Sequence, residues 1–169
     1  MCYNSFANGK DKGAMTSGIE RPLDHLDWEL LRALQADARL SYNELARRVG
    51  PSSPAVAARV RRLEGVGVIA GYRVEIDPAK VGLPVTALIQ IRCDHGRCFL
   101  HTFRAADYPE VLEAHKLGGE RCVVLKVVAR SVAHLDEVVN RVSKHGELWT
   151  AIILASPHER CALDWEDIP

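Results

Sequence analysis

Between positions 23 and 70 the apolar residues recur at helical intervals in three short stretches divided by polar punctuation. Leu23, Leu26, Leu30 and Leu34 return every three or four residues, which predicts a first helix with one buried face. Ser41-Tyr42-Asn43-Glu44 has the form of a capping box, in which a hydroxyl and a carboxylate each satisfy an orphan amide at a helix start. A second helix is therefore expected from there to Gly50, a residue suited to the left-handed turn that follows a helix. Gly50 to Pro54 read as a turn, with Ser53 as the cap of a third helix and Pro54 at its first position. Within that helix Val56, Val60 and Leu63 fall on one side and are expected to pack on the first two.

Past residue 84 the periodicity changes. Val85, Ala87, Ile89, Ile91 and Cys93 alternate with Thr86, Leu88, Gln90 and Arg92, the pattern of a strand with one strongly apolar face. Phe99, Leu100, Phe103 and Ala106 follow at helical spacing, and a weak strand is expected over 110–117. Gly118-Gly119 marks a turn, and Cys122 to Ala129 is a nearly continuous apolar run suited to a central strand. Ser131 caps a helix carrying Val132, Leu135, Val138, Val139 and Val142 on one face, Gly146 ends it, and Leu148 to Ala155 closes as a strand. The order is βαββαβ, a known two-layer arrangement.

The third helix of the N-terminal part also carries cations. On a helical projection Ala55, Ala58, Arg59 and Arg62 share a face, while Arg61 points elsewhere, toward backbone phosphate. Small residues allow close approach to base edges, and arginine can bind guanine through two bonds or grip phosphate. With Ser52 and Ser53 at the helix start and Arg47 and Arg48 closing the preceding helix, this group is the expected surface for double-stranded DNA. The plainer reading, that these arginines only solvate an exposed helix, is weakened by the turn and caps beside them.

These residues resemble the Lrp/AsnC family, the leucine-responsive or feast/famine transcriptional regulators. The resemblance spans residues 23 to about 156. It rests on Leu23-Asp24 with Asp27, on Arg39-x-Ser41-x-x-Glu44-Leu45-Ala46, on Arg59-Val60-Arg61-Arg62-Leu63-Glu64 and on Gly67-Val68-Ile69-x-Gly71-Tyr72. It implies an α+β protein: an N-terminal helix-turn-helix joined to a C-terminal ferredoxin-like βαββαβ domain that binds effector and oligomerises. The corresponding division is a tail over 1–22, the helix-turn-helix over 23–70, a strand and hinge over 71–83, the ferredoxin-like domain over 84–156 and a second tail over 157–169. In the family the strand here read as Tyr72 to Ile76 pairs between protomers, although an ordinary linker strand would have the same sequence. The resemblance also places an amino-acid effector at the turn Gly118, Gly119, Glu120, Arg121 and Cys122. Cys122 stands where the family usually has an aspartate.

Charge supports this division. The chain has 169 residues and no net charge, yet seven arginines face two glutamates between Arg39 and Arg73, whereas ten basic residues face twelve acidic ones from residue 84 onward. A basic reader on a mildly acidic partner domain suits duplex binding through one face. No apolar run approaches the ~20 residues needed to span a bilayer, no signal-peptide pattern opens the chain, and five cysteines do not suggest a secreted disulfide framework. A cytoplasmic protein without a membrane partner is expected.

Catalytic signatures are absent: neither common phosphate-binding glycine spacing occurs, and no serine sits in a nucleophile elbow. Cys93, His95, Cys98 and His101 lie within nine residues and offer donors suited to zinc, copper or iron, or to a redox role for Cys98. Their spacing, from strand end to helix interior, is no recognised metal pattern, so neither metal nor other cofactor is expected. The expected protein is therefore not an enzyme but a sequence-specific regulator that binds DNA and responds to an amino acid or related metabolite. An apolar sheet face left uncovered by two helices further predicts a homodimer, with higher even-numbered assemblies implied by the resemblance. The rival reading is a small-molecule, metal or redox sensor with weak or lost DNA binding.

Overall fold

The computed structural model describes residues 22–93, 98–157 and 162–164, which form two compact units. The first contains residues 22–74 with 162–164, and the second residues 75–157. The expected tail over 1–22 lies almost wholly outside the described residues, as does His95.

The first unit is three helices: α1 (His25–Ala36), α2 (Tyr42–Val49) and α3 (Ser53–Gly65). Each end has a local cause. The Ser41 hydroxyl accepts the Glu44 N–H while Glu44 accepts the Ser41 N–H, completing the expected capping box. The Ser41 hydroxyl, donating to the Glu44 carboxylate at 2.6 Å, and then the Ser41 N–H hold that carboxyl below its ordinary pKa. Gly50 closes α2 with φ of 96°, a conformation that costs glycine nothing. One expectation shifts by a residue: Ser52, not Ser53, caps α3, and its hydroxyl makes no capping bond there. Leu30, Leu34, Leu45, Val56 and Val60 form the core between the helices.

The segment expected to be a C-terminal tail contacts α1 at its described part. Gln35 and Leu163 exchange two bonds, with the Gln35 amide donating to the Leu163 carbonyl (3.0 Å) and the Leu163 N–H donating back (2.7 Å). Arg32 donates to both oxygens of Asp164.

The second unit is a four-stranded antiparallel sheet in the order β2-β3-β1-β4, from β1 (Val85–Cys93), β2 (Val111–Lys116), β3 (Val123–Ala129) and β4 (Gly146–Ile152). With the short α4 (Phe99–Thr102) and the longer α5 (Val132–Val142) this is the expected βαββαβ ferredoxin-like arrangement. Ala87, Ile89, Ile91, Val123, Leu125, Val127 and Ala129 are buried with Leu135, Val138 and Val142 of α5. The Ser131 hydroxyl accepts the His134 N–H and caps α5 as expected.

Three boundaries differ from the sequence pattern. The helix expected over Phe99 to Ala106 stops at Thr102, because Phe103 turns extended (φ −63°, ψ 126°). Its ring thereby stacks on Tyr108 at 5.8 Å, with Phe99 at 5.4 Å. Strand β4 begins at Gly146 and ends at Ile152, earlier than the apolar residues suggest, because its partner β1 sets the register from Cys93↔Gly146 to Ala87↔Ile152. Helix α5 ends at Val142, and Gly146 instead opens β4, where a Cβ would lie 2.2 Å from the Arg92 carbonyl oxygen. Finally, Tyr72 to Ile76 form no strand ladder among the described residues, and the whole segment is exposed, with Tyr72, Val74 and Ile76 at 48, 86 and 63 %.

Candidate nucleic-acid interface and ligand turn

At the N-terminus of α1 two carboxylates cap the helix and face α3. Asp24 accepts the Asp27 N–H (2.9 Å) and Asp27 accepts the Asp24 N–H (3.1 Å), a reciprocal pair that satisfies two orphan amides. Asp27 is fully buried, which costs several kcal/mol for a carboxylate without partners. It has two: Arg59 donates to Asp24 (2.7 Å) and to Asp27 (2.9 Å), and Arg62 donates to Asp27 at 2.5 Å. The bond from Asp24, followed by that from Asp27, raises Arg59 above the ordinary guanidinium value. The cluster ties the start of α1 to the middle of α3 through charge-assisted bonds.

This geometry rearranges the cationic face read from the sequence. The projection grouped Arg59 and Arg62 with Ala55 and Ala58 and set Arg61 apart. In the folded chain Arg59 and Arg62 are half-buried against the aspartates, whereas Arg61 is exposed with Ala55 and Ala58. Ala58 and Arg61 lie about 60° apart around the axis, on one stripe. A helical wheel places Cα atoms, but a long side chain goes where its charge is satisfied, and a buried carboxylate is a strong attractor. Ser52 is exposed, Ser53 half-buried, and Arg47 and Arg48 are exposed at the end of α2.

In the second unit, residues 117–122 connect β2 to β3, closed by the Leu117 N–H donating to the Cys122 carbonyl (2.8 Å). Gly118, Gly119, Glu120 and Arg121 are exposed, and Gly119 has φ of 116°. Arg121 lies over the Trp149 ring at 4.0 Å from its centroid and donates to the Gln90 side chain at 2.7 Å. Glu120 accepts from Arg92 at 2.8 Å, and Arg92 also pairs with Glu147, so that Glu120 first and Glu147 next raise the Arg92 guanidinium pKa. Exposed pairs of this kind contribute little to stability, and their members can be drawn to another charge at little cost. Gln90, Arg92 and Trp149 were not among the residues expected here. Their positions on the alternate face of two adjacent strands were legible, but their proximity to the turn follows from the cross-strand pairs Gln90↔Trp149 and Arg92↔Glu147.

Cys122 turns away from that surface. It is 9 % exposed, and its thiol points to the Ile91 carbonyl at 3.7 Å. There it meets Cys93 and Cys98. Burial, then a hydrogen bond with Cys122, pushes the Cys93 thiol up to about 12. Cys98 is 3 % exposed, unlike the accessible thiols of redox sensors. His101 is exposed and is not part of this sulfur cluster.

The AsnC-type helix-turn-helix domain matches residues 23–64, and the Lrp/AsnC ligand binding domain matches residues 86–163. The chain belongs to the Lrp/AsnC family of transcriptional regulators. Its relatives include the HTH-type transcriptional regulator YezC of Bacillus subtilis, 38 % identical over 79 % of this chain and 95 % of the relative. The Leucine-responsive regulatory protein of Rhizobium meliloti is also 38 % identical, over 69 % and 77 %. Among solved structures, Bacillus subtilis LrpC superimposes with a TM-score of 0.77 at 28 % identity, covering 83 % of this chain and all of that one. The Neisseria meningitidis regulator NMB0573, in complex with L-Met, gives 0.76 at 25 % identity over 85 % and 97 %. Against this Lrp/AsnC background the aspartates of α1 gain a role that the motif alone did not supply: Leu23-Asp24 and Asp27 were legible as family identities, but not as the anchor of α3.

Proposed function

We propose that this Lrp/AsnC regulator reads double-stranded DNA through the exposed stripe of α3, with Ala55 and Ala58 at the bases and Arg61 at base or phosphate. Ser52, Ser53, Arg47 and Arg48 then contact the backbone on either side. Arg59 and Arg62 set the pose of α3 rather than contacting bases. The observation that carries this assignment is their engagement with Asp24 and Asp27, which leaves Arg61 as the exposed guanidinium of the helix. The protein acts in the cytoplasm as a binding protein, without a catalytic step. No helix among the described residues is long and apolar enough to cross a membrane.

The test is titration of the full chain into a labelled duplex from upstream of its own gene and into a shuffled duplex, over a range of salt. The expected result is tighter binding to the native duplex, with affinity falling steeply as salt rises. Equal affinity for both duplexes would favour the rival reading of a sensor without a DNA code.

An amino acid is the proposed effector, held at Gly118 to Arg121. Its carboxylate takes exposed backbone N–H groups or Arg121, and its ammonium takes Glu120. Such a ligand acts only by binding the DNA-competent and incompetent states unequally, commonly by about 1–3 kcal/mol. Repeating the duplex titration with each amino acid reads that difference directly.

Self-association is part of the same reading. Leu88, Val124 and Trp149 are half-buried on the sheet face away from α5, beside Gln90 and Lys126, so that face is mixed rather than wholly apolar. Tyr72, Val74 and Ile76, apolar at alternate positions of an exposed segment, add a row suited to pairing with a second copy. Sedimentation at micromolar concentration is expected to give the mass of a dimer or a higher even-numbered assembly. A mass matching the 18.7 kDa chain would contradict it.

A further inference from the structure

Cys93 ends β1, Cys98 immediately precedes α4, and Cys122 immediately precedes β3. The fold brings these three chain segments together so that the three sulfurs all lie within 4.8 Å of one another. Metal–thiolate bonds of about 2.3 Å put the sulfurs of a trigonal site about 4 Å apart, so the cluster needs to contract by less than about 1 Å.

We propose that Cys93, Cys98 and Cys122 form a three-sulfur site for a soft, closed-shell metal cation, best matched by Cu(I). Donor chemistry carries the choice. All three atoms are sulfur, which selects soft metals, and the described cluster contains no oxygen or nitrogen ligand. Structural zinc takes four ligands, whereas three are gathered among the described residues.

The surroundings are dry and firm. Cys98 and Cys122 belong to the same buried cluster as Ile91, Phe99, Val123 and Leu125. The Phe99 N–H donates to the Cys93 sulfur at 3.4 Å, a bond that strengthens as that sulfur becomes anionic and so orients a ligand. Cys93 is the least buried of the three and gives the cation its approach. Binding is an exchange without change of oxidation state: three S–H bonds break, three metal–sulfur bonds form, and three protons pass to solvent. A bound ion would clamp the end of β1 to the starts of α4 and β3.

The test uses the full-length, fully reduced protein under anaerobic conditions, titrated with Cu(I) in competition with a chromogenic Cu(I) chelator. One Cu(I) per chain is expected, with ultraviolet thiolate-to-metal absorption and an X-ray absorption spectrum fitted by three sulfurs. Cys98→Ser should weaken binding roughly 100-fold. A Cys2→Ser, Cys161→Ser double variant, which keeps all three cluster thiols, should bind as the wild type does. Unchanged affinity in Cys98→Ser, loss of binding in the double variant, or displacement of Cu(I) by stoichiometric zinc overturns the assignment. Should Cys98→Ser fail to fold, the wild-type spectrum decides alone: fewer than three sulfurs around the metal rejects the site.

Discussion

Replacing Asp27 with alanine is expected to destabilise the helix-turn-helix unit by about 2–3 kcal/mol. Removing one member of a buried ion pair costs about 3–5 kcal/mol when the survivor is fully buried. The surviving arginines here are about a quarter exposed (26 and 28 %), which reduces that figure. Three groups lose a partner at once: the Arg59 and Arg62 guanidiniums and the Asp24 N–H at the start of α1. For a unit of this size, thermal unfolding should move down by roughly 10–20 °C. The ferredoxin-like unit has its own core, so the loss should appear in the N-terminal unit alone if the two melt separately. Circular dichroism melts of Asp27→Ala and of a surface control such as Glu29→Ala would check this. Equal melting of the two variants would show that the aspartate–arginine cluster contributes nothing.

The second large effect separates the arginines of α3 by role. Arg61→Ala is expected to weaken binding to the native duplex by about 1–3 kcal/mol, and to lower the slope of log affinity against log salt by about one if the contact is to phosphate. Ala58→Glu should be worse still, since it adds a bulky acid at a small exposed position proposed to approach the bases of a polyanionic duplex. Arg59→Ala should instead lower the melting temperature while leaving the salt slope of the remaining folded protein unchanged. Fluorescence anisotropy against the native duplex, run well below each variant's melting point, distinguishes the two. An altered salt slope in Arg59→Ala with a wild-type melting curve would put that guanidinium on DNA.

What the sequence disclosed, and what it withheld, divides along a physical line. Elements governed by local rules were legible: the Ser41–Glu44 capping box, the left-handed Gly50, the Ser131 cap, and the burial of Ile89, Leu125 and Val138 from their periodicity. Features set by a distant partner were less so. The start of β4 at Gly146 comes from its pairing with Cys93 at the end of β1, and the extended Phe103 that ends α4 stacks its ring on Tyr108; neither partner sits in the local pattern.

The same division runs through the candidate sites. The arginines of α3 were conspicuous as charges, but their roles depend on an aspartate 32 to 35 positions away. Cys93 and Cys98 drew notice for being close in sequence, with His95, which lies outside the described residues, and His101, which is not in the sulfur cluster. The third sulfur came from Cys122, assigned by resemblance to a ligand-binding turn and found facing the core. Proximity in sequence is a poor guide to a site assembled from the ends of two strands and the start of a helix.

The central claim is that α3 lies in the major groove of a specific duplex and presents its Ala55–Ala58–Arg61 stripe to bases. Methylation interference tests it most directly, because dimethyl sulfate modifies guanine at N7, on the major-groove edge. The full-length protein is mixed with a sparsely methylated native duplex, and bound and free fractions are compared guanine by guanine. The account predicts interference in two clusters about one helical turn apart, one for each copy of α3 in a dimer. Tight, selective binding with no guanine N7 affected, in a site containing guanines on both strands, would contradict it.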